Sequence, residues 1–270
     1  GYPNVNIDDL KKFRQIHSKT AGHPEYGHMN GIETTTGPLG QGFSNAVGFA
    51  MAERSLRVQW GKNIYNHKTY VIVGDGCLME GISQEAIALA GKQELNNLIV
   101  LWDDNGITID GEVSKSCITN QPNRFRASNW SVFKCDGHDP DSINAAINEA
   151  KKSILPSLIQ CTTHIGFGSP SKQDKASSHG SPLGEEEIKK IREIYNWPYP
   201  PFEIPKEIKT KWRQIGLKGM KESDKWEHYF GLLSSNKKEK FNRILNCDLP
   251  SNFSQKINSL KKKTSELQPS

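Results

Sequence analysis

The sequence places a carboxylate and an amide thirty positions apart, each directly after an apolar segment that predicts a β-strand. Asp75 lies between two glycines, and Asn105 follows two aspartates. Carboxylate, amide and main-chain carbonyl oxygens are hard ligands suited to Mg²⁺, which fills its remaining positions with oxygens of substrate phosphates. The first chemistry that these residues suggest is therefore binding of a diphosphate through a magnesium ion.

Two predicted strands must position these residues. Residues 69–73 and 97–102 are apolar and β-branched, and a helix over 83–94 is predicted between them. Strands joined by one helix run parallel, so both loops emerge at the same edge of the sheet, where ligands of such sheets bind. Gly74-Asp75-Gly76 alone also fits an ordinary turn; its spacing to Asn105 favours the ion site.

The alternation continues downstream and defines the predicted fold. Residues 130–135 and 157–162 predict strands and 141–153 a helix, which together indicate an α/β protein with an open, mostly parallel sheet and helices on both faces. We place the sheet core at about 20–185. The sequence after residue 197 is first rich in proline and then rich in lysine, which predicts a helical or irregular arm. We assign 1–235 to one domain and 236–270 to a linker.

A second glycine-rich loop, Thr34 to Gly42, opens onto a helix predicted from about Ser44 to Arg54. Free N–H groups at a helix start, beside glycines that permit close approach, form an anion cradle. The lysine of a P-loop is absent. The same residues also fit an ordinary glycine-rich turn before a capped helix.

Two histidines, His23 and His179, lie in predicted loops beside glycines. There an imidazole can face a ligand and exchange protons near neutral pH. A loop histidine is more commonly a plain surface residue, and we leave the other histidines with that interpretation.

Residues 74–83, continued by 103–111, resemble the thiamine diphosphate motif in the form found in transketolases. Loop 34–42 is similar to the Thr-Thr-Gly-Pro-Leu-Gly-Gln-Gly segment of the same family. The resemblance extends strongly over about residues 7–183 and weakly to the C-terminus. It implies a thiamine diphosphate-binding fold of the PP type.

The resemblance also implies roles for individual residues. Asp75, Asn105 and the main-chain carbonyl of Ile107 would bind Mg²⁺, for which Ca²⁺ or Mn²⁺ could substitute. Thiamine diphosphate would contact a further set of residues, together with Asn105: Gly37 and Gly76 at the diphosphate, Leu39 at the thiazolium, Ile109 near the rings, and His179.

The same resemblance implies catalytic and interface residues. His23 and His179 would line the substrate channel and assist proton transfers. Glu80 and Glu85 would belong to an acidic network at a homodimer interface. Because acidic residues are favoured in the first turns of a helix, two solvated glutamates remain the alternative.

The function implied is that of a transketolase: transfer of a two-carbon ketol unit from a ketose phosphate to an aldose phosphate in the pentose phosphate pathway. Asn6 predicts a helix start with little before it to pack on. The family's N-terminal histidines and second catalytic domain have no counterpart in the sequence. We therefore expect a truncated chain that is active only with that domain.

Other functions stay open. The chain could be a noncatalytic binding or assembly module, or another thiamine diphosphate carboligase such as deoxyxylulose-phosphate synthase or dihydroxyacetone synthase. The sequence of residues 77–85 favours transketolase over deoxyxylulose-phosphate synthase. A nicotinamide-binding Rossmann domain is disfavoured, since no strand leads into Gly-x-Gly-x-x-Gly with an acidic residue about 20 positions on.

The composition limits the classes of partner that we expect for the chain. The chain has 35 basic and 30 acidic residues, a balance compatible with anionic sugar phosphates but less concentrated than in nucleic-acid binders. Five separate cysteines without CxxC indicate reduced thiols. No apolar run approaches the roughly 18 residues of a membrane helix. We therefore expect a soluble, cytoplasmic protein without nucleic-acid or membrane partners.

Overall fold

The computed structural model describes residues 4–267. Its helices are α1 Ile7–Lys11, α2 Gln41–Trp60, α3 Asp75–Met79, α4 Gly81–Lys92, α5 Gln121–Ala127, α6 Pro140–Lys152, α7 Glu185–Ile194, α8 Lys206–Gly231, α9 Ser235–Leu245 and α10 Phe253–Ser265. Its strands are β1 Thr69–Gly74, β2 Leu98–Asp104, β3 Ile107–Thr108, β4 Gly111–Glu112, β5 Ser131–Asp136 and β6 Ser157–Thr162.

Four parallel strands form the main sheet, in the order β1-β2-β6-β5. The strands are short runs of apolar residues, as expected where both faces of a sheet are covered. In the register of β1 with β2, Gly74 lies opposite Asp103. The loops that follow these two strands therefore leave the sheet side by side. The predicted α/β fold with an open parallel sheet is confirmed.

Helices cover both faces of the sheet, as the sequence predicts. On one face α2 and α4 bury Val73, Val100 and Leu158. On the other, α6 packs over Ile99 and Ile159. Because successive strand side chains point to opposite faces, β2 and β6 contribute to both cores and lie at the centre of the sheet.

The observed bounds of the strands agree well with the predicted ones, and those of the helices agree less well. The predicted strand at 157–162 is β6, and the other three predicted strands agree to within two residues. Helix α2 is longer than the predicted 44–54, because it begins directly after Gly40, whose φ of 83° ends the preceding loop. Residues 74–76 were expected to form a turn, yet α3 begins at Asp75.

The chain divides into two compact units, residues 1–209 and 210–270. The second unit is helical. In it the rings of Trp226 and Phe230 stack with centroids 4.9 Å apart, and Phe230 meets buried Phe241 edge to face, also at 4.9 Å. The predicted domain boundary at 235 falls inside this second unit, and the linker role of 236–270 stays a prediction.

The five cysteines are free thiols. Cys135 and Cys161 face each other on β5 and β6, with their sulfurs 3.5 Å apart, a proximity that the separated sequence positions did not indicate. Within residues 4–267, none of the helices has the length and apolar character needed to span a bilayer.

A buried polar contact ties α2 to the start of β2. The Asn97 amide donates to the Ala50 carbonyl at 2.8 Å and to the Glu53 carboxylate at 2.7 Å, and both side chains are almost fully buried. Two cations also act on this carboxylate: Arg57, with its Nε 3.6 Å away, and Lys68. Removing one partner of a buried charged hydrogen bond leaves the other desolvated and unpaired.

We therefore expect Asn97→Ala to lower the free energy of unfolding by about 2–4 kcal/mol. Urea denaturation followed by circular dichroism measures this quantity. Asn148→Ala is the matched control, since among the described residues that exposed side chain hydrogen-bonds only Asn144, on the same helix, at 3.4 Å. Equal losses in the two variants would contradict a net contribution from the buried contact.

Candidate functional site

Asp75 lies at the carboxyl edge of the sheet, immediately after β1. It is only 8% exposed, and its Oδ1 accepts a hydrogen bond of 3.1 Å from the Trp102 indole N–H. Among the described residues, no group hydrogen-bonds its other oxygen, Oδ2, although that atom is buried. Buried carboxylate oxygens are normally paired, so Oδ2 is available for a ligand that the protein chain does not supply.

The loop after β2 approaches this carboxyl group. The Gly106 backbone amide lies close enough to Asp75 to lower the pKa of its carboxyl group. Asn105 accepts the Ile107 N–H with its Oδ1 at 3.0 Å, which fixes the turn, and the loop continues into the β3–β4 hairpin. An amide oxygen has two lone pairs, so one remains free on Asn105. The structure thus brings Asp75 and Asn105 to one edge.

The pKa of Asp75 is raised from 3.8 to about 6, and burial is the largest cause of this rise. The neighbouring carboxylates of Asp104 and Asp103 add to this rise in pKa, while the Trp102 indole and the Gly106 amide oppose it. A bound cation would remove the penalty, because it favours the charged form of the carboxyl group.

This shift makes the stability of the ligand-free chain depend on pH. Since the folded pKa of Asp75 lies above its unfolded value, its neutral form stabilises the fold below about pH 4, and this contribution is lost as the pH rises through about 6. Relative to Asp75→Asn, the native chain should lose on the order of 2–3 kcal/mol of unfolding free energy between pH 4 and 7.

Paired urea titrations of the native chain and Asp75→Asn at the two pH values measure this difference. Asn keeps the shape of the side chain and removes its titration, so every other pH effect cancels. A constant difference between the two proteins would show that the carboxyl group has no raised pKa.

The second glycine-rich loop packs against His23. Gly37 has a φ of +123°, and a Cβ there would lie 2.6 Å from Cγ of His23. Only glycine fits a backbone of this conformation at this distance. The loop is held by bonds from the Asn45 amide to the Thr34 hydroxyl, at 2.8 Å, and from the Thr36 N–H to the Pro24 carbonyl, at 3.2 Å.

The same loop also meets the turn that carries Asp75. A Cβ on Gly76 would lie 3.2 Å from Cδ1 of Leu39, and one on Gly40 would lie 2.7 Å from Cγ2 of Ile82. Leu39 is half exposed. The structure therefore joins Gly37, Leu39 and Gly76, which are far apart in sequence, into one surface beside the Asp75 carboxylate.

The remaining predicted residues lie outside these contacts. Ile109 is 69% exposed at the tip of the β3–β4 hairpin. His179 is exposed after a short 3₁₀ turn, and within the part of the chain that the structure describes no hydrogen bond reaches its ring. Glu80 and Glu85 are both exposed, at and just inside the start of α4. Their predicted roles stay predictions.

Several residues of the site were missed by the sequence reasoning. Trp102 was read only as a strand residue, although its indole N–H fixes the orientation of Asp75. Asp103 is engaged by the Thr163 hydroxyl, and Asp104 accepts from Gln160 at 2.6 Å. Position at the end of β2 could have indicated the two aspartates; no local signal marks the tryptophan.

The donor set fits a hard cation with phosphate ligands rather than a transition metal. In residues 4–267, no group of three or more His, Cys, Asp and Glu side chains could hold a metal ion. One carboxylate, one amide and a main-chain carbonyl supply too few ligands for a dedicated cage, which matches how Mg²⁺ is bound through a substrate's phosphates.

An open parallel sheet with a carboxylate, an amide and glycine-rich loops at its carboxyl edge is typical of α/β domains that bind phosphate-containing ligands. The family model described as "Transketolase, thiamine diphosphate binding domain" matches residues 1–250. The chain belongs to the transketolase family. The predicted resemblance is confirmed.

Individual relatives agree with this family. The chain is 53% identical to a transketolase of Rhodobacter capsulatus, over all of this chain and 40% of that protein, and 50% identical to transketolase 1 of Vibrio parahaemolyticus, over 96% and 40%. The chain thus spans about 40% of the length of these relatives.

Solved structures show the same similarity. A transketolase structure from Campylobacter jejuni superposes with a TM-score of 0.84 at 42% identity, over 91% of this chain and 38% of that one. A Pichia stipitis transketolase in complex with sedoheptulose 7-phosphate gives 0.89 at 39% identity, over 94% and 39%.

Proposed function

We propose that this chain forms the diphosphate- and metal-binding part of a transketolase, which transfers a two-carbon ketol unit from a ketose phosphate to an aldose phosphate. The observation that carries the proposal is the buried, unpaired Oδ2 of Asp75 beside the Asn105 loop. A buried carboxylate oxygen without a protein partner is costly. Its retention is explained if a cation binds there.

In this proposal Asp75, the free lone pair of Asn105 and the main-chain carbonyl of Ile107 hold Mg²⁺, with Ca²⁺ or Mn²⁺ as substitutes. Trp102 supports the site by fixing one carboxylate oxygen, so that the other faces the ion. Ligand orientation by such outer contacts commonly changes metal affinity by about 10–100-fold. The chain's contribution to catalysis begins with this positioning.

The glycine surface would accept thiamine diphosphate. Gly37 and Gly76 give its diphosphate access to the backbone, Leu39 and Ile109 supply apolar contacts to its rings, and His179 reaches it from the exposed loop. When bound, the cofactor supplies a carbon nucleophile that protein side chains lack. The protein's part is to orient that group and to limit the access of water.

His23 and His179 are the proposed proton carriers. His23 is suited to this task because Gly37 allows its ring to lie directly against the proposed diphosphate loop. A histidine that contacts both the loop and the substrate could hold or release a proton at a substrate hydroxyl. The carbonyl and hydroxyl groups of sugar phosphates are the corresponding substrate atoms.

We further propose that the complete enzyme is a cytoplasmic homodimer of the pentose phosphate pathway, with Glu80 and Glu85 at the subunit interface. Both glutamates are exposed, and Ile82 and Leu89 on the same helix are more than 40% exposed as well. These exposed residues leave this face of the helix open for contact with a second subunit.

Product analysis tests the proposed reaction. Xylulose 5-phosphate and ribose 5-phosphate are supplied with thiamine diphosphate and Mg²⁺ to the chain, with and without a separately expressed second domain of the family. Sedoheptulose 7-phosphate should form only with both parts present, since only two-carbon transfer yields this product. A mixture that binds cofactor but forms no such product would support a noncatalytic module instead.

A further inference from the structure

A cavity lies beside His23, and the other side chains that line it have no part in the proposed reaction. It has a volume of about 440 Å³, and its lining includes Arg14, His17, His23 and His28. None of the described residues that line it is acidic. Its volume is within the range of small-ligand sites, and its donors all favour an anion.

The charge of Arg14 is not neutralised by the protein. Within residues 4–267 its guanidinium group has neither a hydrogen bond nor an ion pair, although its side chain lies across Gly22, with Nε 3.0 Å from the position of a Cβ there. A guanidinium presents donors in a planar fork that matches the oxygens of a phosphate. Arg14 therefore lies at the cavity wall with its guanidinium group available to a ligand.

His28 is oriented by the backbone. Its Nε2 lies 3.2 Å from the carbonyl oxygen of Ser18. A carbonyl oxygen only accepts hydrogen bonds, so Nε2 carries the proton and Nδ1 is the ring's other nitrogen. Nδ1 takes no part in the bond to Ser18 and is left for a ligand in the cavity.

The backbone around the cavity is held in an uncommon conformation. Arg14 and His17 have φ values of 61° and 63°, in the left-handed region that non-glycine residues rarely occupy. The Arg14 N–H is held by the Thr20 carbonyl at 2.9 Å. Arg14 and His17 both line the cavity, and backbone held in such sparsely populated conformations clusters at ligand sites.

We infer that this cavity binds a phosphate monoester, with Arg14 gripping two of its oxygens and His17 and His28 contacting the third. The planar fork of an arginine suits two oxygens of a phosphate, and the two histidines that line the same cavity provide ring nitrogens for the third. The site shares His23 with the proposed cofactor site but does not depend on cofactor binding.

Inorganic phosphate is the probe, titrated into the 270-residue chain with ¹³C-labelled histidines. The ring signals of His17, His23 and His28 should shift along one saturable curve, while those of His67 and His228, outside the cavity, stay in place. Arg14→Met should weaken binding about 10-fold or more, through loss of a charge-assisted contact. Arg126→Met is the matched control, since within residues 4–267 the guanidinium of this exposed arginine hydrogen-bonds only Asn123.

Shifts that do not saturate, shifts of equal size at His67 and His228, or an unchanged affinity in Arg14→Met would each overturn the site. Two further arms identify the source of the phosphate. Ribose 5-phosphate should move the same signals and ribose should not. Thiamine diphosphate with Mg²⁺ should bind without displacing inorganic phosphate, and displacement would show that the cavity is part of the cofactor site.

The result is separable from the test of the proposed cofactor site. Asp75→Ala should lose binding of thiamine diphosphate and keep binding of inorganic phosphate. Arg14→Met should keep binding of thiamine diphosphate and lose binding of inorganic phosphate. If Asp75→Ala leaves cofactor binding intact while Arg14→Met still abolishes phosphate binding, the proposed metal site fails and the phosphate site stands.

Discussion

Asp75→Ala should weaken binding of thiamine diphosphate in the presence of Mg²⁺ by about 100-fold or more, on the order of 3 kcal/mol. The reason is that Asp75 supplies the only carboxylate among the proposed ligands, and its Oδ2 has no partner in the described residues. Isothermal titration calorimetry of the cofactor into the chain, supplied together with the second domain, measures the affinity.

Removing the metal gives the sharper version of this test. Chelation of Mg²⁺ should weaken cofactor binding by the native protein about as much as the substitution does, and should have little further effect on Asp75→Ala. Two changes that remove the same interaction are not additive. If the two losses add, Asp75 acts on the cofactor by some route other than the metal.

The controls exclude trivial causes. Asp224→Ala removes an exposed carboxylate on α8 and should leave the affinity unchanged. Urea denaturation of Asp75→Ala is the control for folding, because the substitution leaves the buried Trp102 indole N–H without its acceptor. The native affinity should also fall below about pH 6, since the proton then competes with the cation for the carboxylate.

The parts of this site that the sequence could predict follow from topology. Parallel strands joined by one helix must end at the same edge, so Asp75 and Asn105 could be placed together from their positions after two apolar runs. Strand β6 matched its predicted limits because its apolar residues end abruptly at polar ones. Periodicity and chain direction are enough for inferences of this kind.

The parts that could not be predicted depend on close contacts between distant segments. The Trp102 indole reaches Asp75 across 27 positions, and the ring of His23 fills the space beside Gly37. Neither contact has a periodic pattern. The left-handed backbone of Arg14 is equally invisible, because arginine has no preference for that region. Side-chain direction and backbone strain emerge only when the segments are packed.

Gly91 gives the largest expected effect on stability. It lies near the end of α4, where a glycine is normally about 1 kcal/mol worse than alanine. A Cβ at this position would lie 1.7 Å from the Ser128 carbonyl oxygen and 2.9 Å from its carbon. Those are backbone atoms held by the bonds from the Ser128 N–H to the Arg124 and Phe125 carbonyls, so they cannot move aside as a flexible side chain would.

We therefore expect Gly91→Ala to destabilise the chain by about 3 kcal/mol or more, against the helix propensity of alanine. Gly48→Ala is the matched control, because that glycine is in the middle of α2 with no atom within 4 Å of its missing Cβ, and should stabilise by about 0.5–1 kcal/mol. Urea denaturation of both variants measures the two free energies. If Gly91→Ala is too unstable to purify, the yields of the two variants under identical expression still give the sign.

A gain in stability for both variants would mean that α4 and the segment after α5 do not meet at Gly91. Opposite signs would establish that backbone proximity, rather than helix propensity, selects glycine there.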